Sequence, residues 1–471
     1  MELQGIALIT IVLVMAEIAG VLLAIDAVMR RRSSQGAIAW CIALITMPII
    51  VIPLYLVLGR TRFLGYTEAL REAEAEMGEN VSNWHDQMAS LAADPHDGLQ
   101  AIETLTRRLT GVPFTRGNRV SLLIDAEATY GAMLEAISHA ESYVLVQFYI
   151  VRDDKVGRAL RDTLIEKAKS GVRVHFLYDE IGSIKLPVAY LDAMRTASIE
   201  VSGFRTTQGL RNRFQINFRN HRKLLIVDGC TGFIGGHNLG EEYLKYRDTH
   251  LRIDGPAAQQ IQFTFLKDWY WATRQLIDVS TEIHVDPDHD VSVSIANTGP
   301  ADRMPNCSVL FSTMVSSATH RVWITSPYFV PDDVMARALQ SAALRGVDVR
   351  ILLPDQADQR LVEFASFTYY EDMTKTGVKL YRYRGRFLHQ KVILVDNELA
   401  GIGTVNLDNR SLYLNFEETA LIADVGFARE VEAMLQADLE CCDEVSGAHF
   451  DQKPLHFRAA ARLARLTSPI L

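Results

Sequence analysis

His221 and Lys223 stand two residues apart with Asp228 five residues further on, and His389, Lys391 and Asp396 repeat the spacing. On a strand, residues two apart project from the same face, so each His-Lys pair reaches one ligand. The aspartates have the opposite parity. They sit at "DG" and "DN", which read as hairpin turns, so a structural role fits them better than a chemical one. A lysine ammonium suits an anion, and a histidine suits nucleophilic attack or proton transfer. Two histidines on one phosphodiester divide the labour. One attacks phosphorus to give a phosphohistidine, and the other protonates the leaving alcohol and deprotonates the incoming one. Each copy is therefore half of a site. No cluster has metal-ligand spacing, and the chemistry needs neither metal nor cofactor.

If Asp228-Gly229 is a two-residue turn, His221 lies across from Gly236, with Asn238 close by. By the same count His389 lies across from Thr404, with Asn406 close by. Small residues leave room for a ligand, while Lys, Asn and the Thr hydroxyl supply donors suited to a phosphate. A working histidine also needs an acceptor on its second ring nitrogen. Asp248 lies 27 residues past His221 and Glu417 lies 28 past His389, nearly matched positions, with Glu418 an alternative to Glu417.

The elements that must carry these residues also occur twice. "SYVLVQFYI", "VGRALRDTLIEKAKSG" and "VRVHFLYD" read as strand, helix and strand, and "HRVWITSPYFV", "VMARALQSAALRG" and "VDVRILLPD" repeat the pattern. Each βαβ unit is followed by one His-x-Lys copy, as an internal duplication predicts. The runs "LLIV" and "VILV" suit strands buried on both faces.

The chain has 471 residues and a formal net charge of −9, which speaks against a sequence-independent nucleic-acid binder. Five scattered cysteines, with no Cys-x-x-Cys pair, give neither a disulfide framework nor a zinc site. The first sixty residues are different in kind. Ile6 to Met29 and Gly36 to Gly59 are apolar runs each long enough to cross a bilayer as a helix, which takes roughly 20 residues. They predict a retained hairpin, with Glu17 facing the partner helix and Asp26 near an end. Arg30, Arg31 and Arg32 in the loop balance Arg60, Arg62 and Arg71 after the second run, so the positive-inside rule gives no orientation. "AIETLTRRLTGVP" reads as an amphipathic helix, packed on a domain or laid on lipid. Expected boundaries are 1–65 for a two-helix anchor, 66–116 for a helical linker, and 117–290 and 291–471 for two similar α/β domains.

The duplicated His-x-Lys-x4-Asp motif resembles the signature of the phospholipase D superfamily. The strings "FYIVRDDKVGRAL", "RNHRKLLIVDG", "RDTHLRIDGP", "DWYWAT", "RFLHQKVILVD", "GTVNLDNRSLYLNFE" and the terminal "SPIL" are similar to bacterial cardiolipin synthases within it. The resemblance covers nearly the whole chain, least clearly Thr67 to Arg116. It implies two phospholipase D-type α/β domains related by a pseudo-twofold axis, with the site at their junction, behind a transmembrane helical hairpin in the bacterial inner membrane. It implies a reaction in which two phosphatidylglycerol molecules give cardiolipin and glycerol. His221 is then the nucleophile and His389 the acid and base, an assignment that the symmetry leaves reversible. Lys223, Lys391, Asn238 and Asn406 bind phosphate, and Asp228 and Asp396 complete the catalytic signature. Gly236 departs from the superfamily's usual Ser or Thr, so backbone N–H groups substitute there. Arg211, Arg213 and Arg219 form a basic run suited to anionic lipid. Hydrolysis, or transfer from phosphatidylethanolamine or to another alcohol, remains open within the superfamily.

Overall fold

The computed structural model describes residues 2–30, 34–94, 98–209, 212–285, 288–445 and 452–471. Arg31, Arg32 and Arg211 lie outside the described residues.

The first apolar run is one helix, α1 (Glu2–Arg30), whose residues 4–29 are long and apolar enough to cross a membrane. The second run is not the single span expected. It forms α2 (Ser34–Thr46) and α3 (Pro48–Leu58), both too short to cross alone. The break falls at Met47 (φ −138°, ψ 53°), because the ring of Pro48 disfavours helical backbone in the residue before it. The two pieces fold back on each other. Cys41 Sγ donates to the Ala24 carbonyl at 3.4 Å, so α2 runs antiparallel to α1. Pro48 meets Gly20, and the Tyr55 hydroxyl donates to Asp26 at 2.9 Å, so α3 runs parallel to α1. In an unbroken helix Tyr55 would lie about 16 Å beyond Leu44, toward the start of α1. Instead the Tyr55 ring meets the Trp40 ring at 5.1 Å. Glu17, expected against the partner helix, is exposed.

After α3 only a short connection precedes α4 (Leu64–Met77), and Phe63 is already fully buried in the body of the protein. The expected amphipathic helix is Gln100–Thr110. It buries Ile102 and Thr106 against that body.

The body is built twice around one sheet. The first copy supplies β1 (Thr115–Ile124), β2 (Tyr143–Phe148), β3 (Arg173–Asp179), β4 (Glu200–Phe204), β5 (Leu224–Val227), β6 (Thr231–Gly235) and β7 (Thr249–Asp254). The second supplies β8 (Val291–Thr298), β9 (Arg321–Thr325), β10 (Asp348–Pro354), β11 (Lys379–Tyr383), β12 (Val392–Val395), β13 (Leu399–Gly403), β14 (Asn415–Ala423) and a short β15 (Cys442–Glu444). The sheet order is β4-β3-β2-β5-β6-β7-β1, then β8-β14-β13-β12-β9-β10-β11-β15, so the second copy repeats the first in reverse across the β1–β8 seam. The expected βαβ units are there: helix Lys155–Lys169 joins parallel β2 and β3, and helix Asp333–Leu344 joins parallel β9 and β10. Leu224 to Val227 and Val392 to Val395 are buried throughout, as strands covered on both faces must be. One apolar core draws on both copies, placing Ile226 and Leu251 in the same cluster as Val392 and Ile402.

The two hairpins differ from expectation by one residue. Val227 pairs with Thr231 and Val395 with Leu399, so each turn has three residues rather than two. Asp228 and Asp396 both take left-handed backbone at φ 51°. Their carboxylates explain why. Asp228 accepts from the N–H groups of Glu141, Ser142 and Tyr143, each at 2.8 Å. Asp396 accepts from those of Thr319, His320 and Arg321 at 2.7–2.9 Å. Each aspartate fastens the entrance of the neighbouring strand, remote from the chemistry in which the family signature places it. Asp228→Ala and Asp396→Ala are expected to cost about 1–2 kcal/mol each, as the loss of a cap does. Thermal unfolding of the purified chain checks this, and an unchanged midpoint contradicts it.

Candidate active site

Each histidine is carried to the seam by a two-residue strand that pairs with the other copy. Arg219–Asn220 runs parallel to Asn415–Phe416, and the His221 N–H donates to the Phe416 carbonyl at 2.9 Å. Phe387–Leu388 runs parallel to Tyr246–Arg247, and the His389 N–H donates to the Arg247 carbonyl at 2.8 Å. The residue after each accepting carbonyl is the carboxylate. His221 Nδ1 therefore meets Glu417 at 2.9 Å, and His389 Nδ1 meets Asp248 at 2.6 Å. The carboxylates at matched positions are exchanged: each orients the histidine of the opposite copy. Glu418 plays no part in this. It is buried on another face, where burial pushes its carboxyl up to about 8.

Both carboxylates are themselves held. Asp248 accepts from the Thr249 N–H at 2.8 Å, and Glu417 accepts from the Asn415 amide at 3.1 Å. Thr404, expected to offer its hydroxyl to a ligand, donates it to Glu417 at 2.5 Å. Gly236 holds the equivalent place in the first copy. A Cβ there would lie 2.1 Å from Asp248 Oδ1, so glycine makes room for the carboxylate. Its N–H is bonded to the Thr249 carbonyl at 2.9 Å, so it does not supply the substitute donor expected of it.

The lysines lie beneath the histidines. Lys223 Nζ donates to the His221 carbonyl at 2.6 Å, and Lys391 Nζ donates to that of His389. Burial pushes Lys223 down to about 7 and Lys391 down to about 8, only partly offset by Glu417 and Asp248. Burial also lowers both histidines, and the nearby lysines add to the effect. Burial works against the Asp248 carboxylate, yet Lys391 and His389 outweigh it and keep the group ionised. A neutral histidine whose Nδ1–H is given to a carboxylate presents the Nε2 lone pair to the site. A bound anion would return charge to the lysines and to one histidine, since an opposite charge favours the protonated form. Asn238 turns its carbonyl oxygen to the Ile150 N–H at 3.2 Å, while the buried Oδ1 of Asn406 has no hydrogen-bond partner among the described residues.

Sequence reasoning missed the support beneath Lys223. The intervening residue Arg222 makes two 2.7 Å contacts to Asp268, which also accepts from Tyr66, Gln147 and Asn220. The string "DWYWAT" held that aspartate, with no charge pattern to pair it with Arg222. Two tyrosines were also missed. The Tyr149 ring stands edge-on to His221 at 4.9 Å, and the Tyr246 ring lies 5.6 Å from His389. Among the described residues there is no group of three or more His, Cys, Asp or Glu arranged to hold a metal ion.

Residues 133–269 and 311–439 match the family described as "Cardiolipin synthase, PLD-like domain", and residues 18–60 match "Phospholipase_D-nuclease N-terminal". Cardiolipin synthase A of Pseudomonas aeruginosa is 45% identical, with 98% of this chain and 96% of that protein covered. Cardiolipin synthase A of Pseudomonas fluorescens is 44% identical, with 96% of each covered. The crystal structure of phosphatidylserine synthase from Haemophilus influenzae matches the fold with a TM-score of 0.62 at 15% identity, over 79% of this chain and all of that one. A duplicated half-site, a continuous sheet built from both copies and full-length similarity agree: the chain belongs to the cardiolipin synthase family of phospholipase D-like proteins.

Proposed function

We propose that this chain is a membrane phosphatidyltransferase that joins two phosphatidylglycerol molecules into cardiolipin and releases glycerol. The observation that carries this reading is the exchanged pair of histidine-carboxylate contacts, which makes one two-histidine site from two copies in a chain related over its length to cardiolipin synthases. His221 attacks phosphorus through Nε2, and glycerol leaves with a proton from His389. His389 then takes the proton of the second lipid's primary hydroxyl, whose oxygen displaces His221. Lys223, Lys391 and the Asn238 and Asn406 amides hold the phosphate oxygens. Glu417 and Asp248 fix the ring orientations, and Thr404 and Gly236 serve the carboxylates. Residues 117–290 and 291–471 act as the two half-site domains, and 1–65 with the linker 66–116 holds them at the bilayer.

The anchor in this reading is one crossing helix and one re-entrant pair. At 1.5 Å per residue α2 and α3 reach only about 20 and 16 Å, against a hydrocarbon core of about 30 Å. They enter and leave by one face, with exposed Ile42, Ile45, Met47, Ile49 and Ile50 at their tip. The end of α1 at Arg30 then shares a face with Arg60, Arg62 and Arg71, which puts the body on the cytoplasmic side and the amino terminus outside. In spheroplasts, an epitope tag ahead of Met1 is expected to be digested by added protease. The exposed Cys441 is expected to resist an impermeant maleimide until the membrane is opened. Tag and thiol reached from the same face would contradict the re-entrant pair.

Radiolabelled phosphatidylglycerol incubated with membranes holding the chain tests the reaction. Native protein is expected to give cardiolipin and glycerol, and His221→Ala and His389→Ala to give neither. Glu417→Gln and Asp248→Asn are expected to lose about 10²–10⁴-fold, the span of a misplaced acid-base group. Phosphatidic acid as the main product would mean a hydrolase. Product from phosphatidylethanolamine alone would mean a different donor.

A further inference from the structure

Beside the His221 half of the site lies a second cationic cluster that the transfer chemistry does not use. Arg219 precedes His221 by two residues and gives its guanidinium to the carbonyls of Ile216 and Phe218. Arg410, from the other copy, donates to the Asn217 side chain at 3.0 Å, to its carbonyl at 2.6 Å and to the Ile470 carbonyl at 3.2 Å. Among the described residues neither arginine has a carboxylate within ion-pair distance: Asp179, whose charge Arg219 favours, spends its oxygens on the N–H groups of Ile181, Gly182 and Asn220 at 2.8–3.0 Å. The acid next along the chain, Asp408, is buried and caps its own helix through the Ser411 N–H at 2.7 Å. Burial lowers Arg410, and the neighbouring Arg219 lowers it further. Two guanidiniums held together on neutral acceptors are a site for an anion, and their planar forks suit the oxygens of a phosphate.

Tyr149 links this cluster to the reacting centre. Its ring is edge-on to His221, Lys223 Nζ lies 5.3 Å from its centroid, and its hydroxyl is within the electrostatic reach of both arginines. The anion site therefore lies about one tyrosine ring from the site of phosphoryl transfer. An acceptor lipid has that shape: its own phosphodiester is separated from the attacking primary hydroxyl by a glycerol backbone. The cluster also faces the anchor. Phe218, next to Arg219, stacks on Phe63 at 5.3 Å, five residues past the end of α3, and the neighbouring Phe214 and Ile216 are exposed.

We propose that Arg219 and Arg410 bind the phosphodiester of the acceptor phosphatidylglycerol, so that this cluster, and not the His-Lys centre, selects an anionic lipid over a neutral alcohol as acceptor. The inference rests on the transferase reading above. Two reactions of the same phosphohistidine separate it from that reading: cardiolipin formation, and exchange of labelled free glycerol into phosphatidylglycerol. The exchange is attack by glycerol in the reverse of the first step, with His389 taking the hydroxyl proton and His221 leaving phosphorus. Glycerol carries no phosphate to bind.

Arg219→Gln and Arg410→Gln are expected to lower the ratio of cardiolipin formation to glycerol exchange by roughly ten- to a hundredfold, the loss of charge-assisted hydrogen bonds. The fall should appear as a raised KM for the acceptor, and Arg219→Lys and Arg410→Lys should restore part of it. Inorganic phosphate should inhibit cardiolipin formation more than exchange in the native chain and equally in the Gln variants. Arg410 also tethers the Ile470 carbonyl, so Arg219→Gln carries the test if Arg410→Gln loses exchange altogether. Both reactions falling in step in Arg219→Gln, or neither falling, would overturn the proposal. A native chain that performs neither reaction would overturn the transferase reading along with it.

Discussion

The site depends on one constraint: each histidine is bonded, through backbone and ring, to the copy that does not contain it. His221 hangs on Phe416 and Glu417, and His389 hangs on Arg247 and Asp248. The short parallel ladders set the register, and the register sets which carboxylate meets which ring. Neither copy alone can orient its own histidine. The seam strands β1 and β8 hold the copies side by side, but these crossed contacts make two half-sites one centre. The same contacts choose the tautomer. With Nδ1 committed to a carboxylate, Nε2 is the nitrogen left for phosphorus.

The charges of the centre are arranged to receive an anion. Two buried lysines and two histidines face two carboxylates, and burial drives all four bases toward neutrality. The negative charge of a phosphodiester restores the balance and favours protonation of one histidine from solvent, which supplies the proton that a leaving alcohol needs. Arg222 and Asp268 below the first centre are fully paired with each other, so they add rigidity without competing for the ligand. The adjacent Arg219 and Arg410 are not paired in this way, which sets them apart from a structural ion pair.

Much of this was legible in the chain. The repeated spacing gave the two half-sites, and the strand-helix-strand units gave the duplicated α/β body, because period and turn residues are local signals. The exchanged carboxylates were not legible: Glu417 lies 196 residues from His221 and Asp248 lies 141 from His389, and no local pattern says which copy a side chain serves. Thr404 and Gly236 were assigned to the ligand because their small size was visible while the carboxylates filling the space were not. The hairpins slipped by one residue because "DG" signals a two-residue turn, whereas these aspartates are placed to clasp the backbone of the next strand. Length alone suggested a second span, and the conformational effect of Pro48 on Met47 cut it in two.

The central claim is that the crossed carboxylates commit Nδ1 and leave Nε2 to react. Native chain mixed with radiolabelled phosphatidylglycerol, then denatured rapidly in alkali and digested, traps the covalent intermediate for mass spectrometry and phosphorus NMR. Phosphorus is expected on Nε2 of His221. Phosphorus on Nδ1 of either histidine, or on a residue other than a histidine, would contradict it.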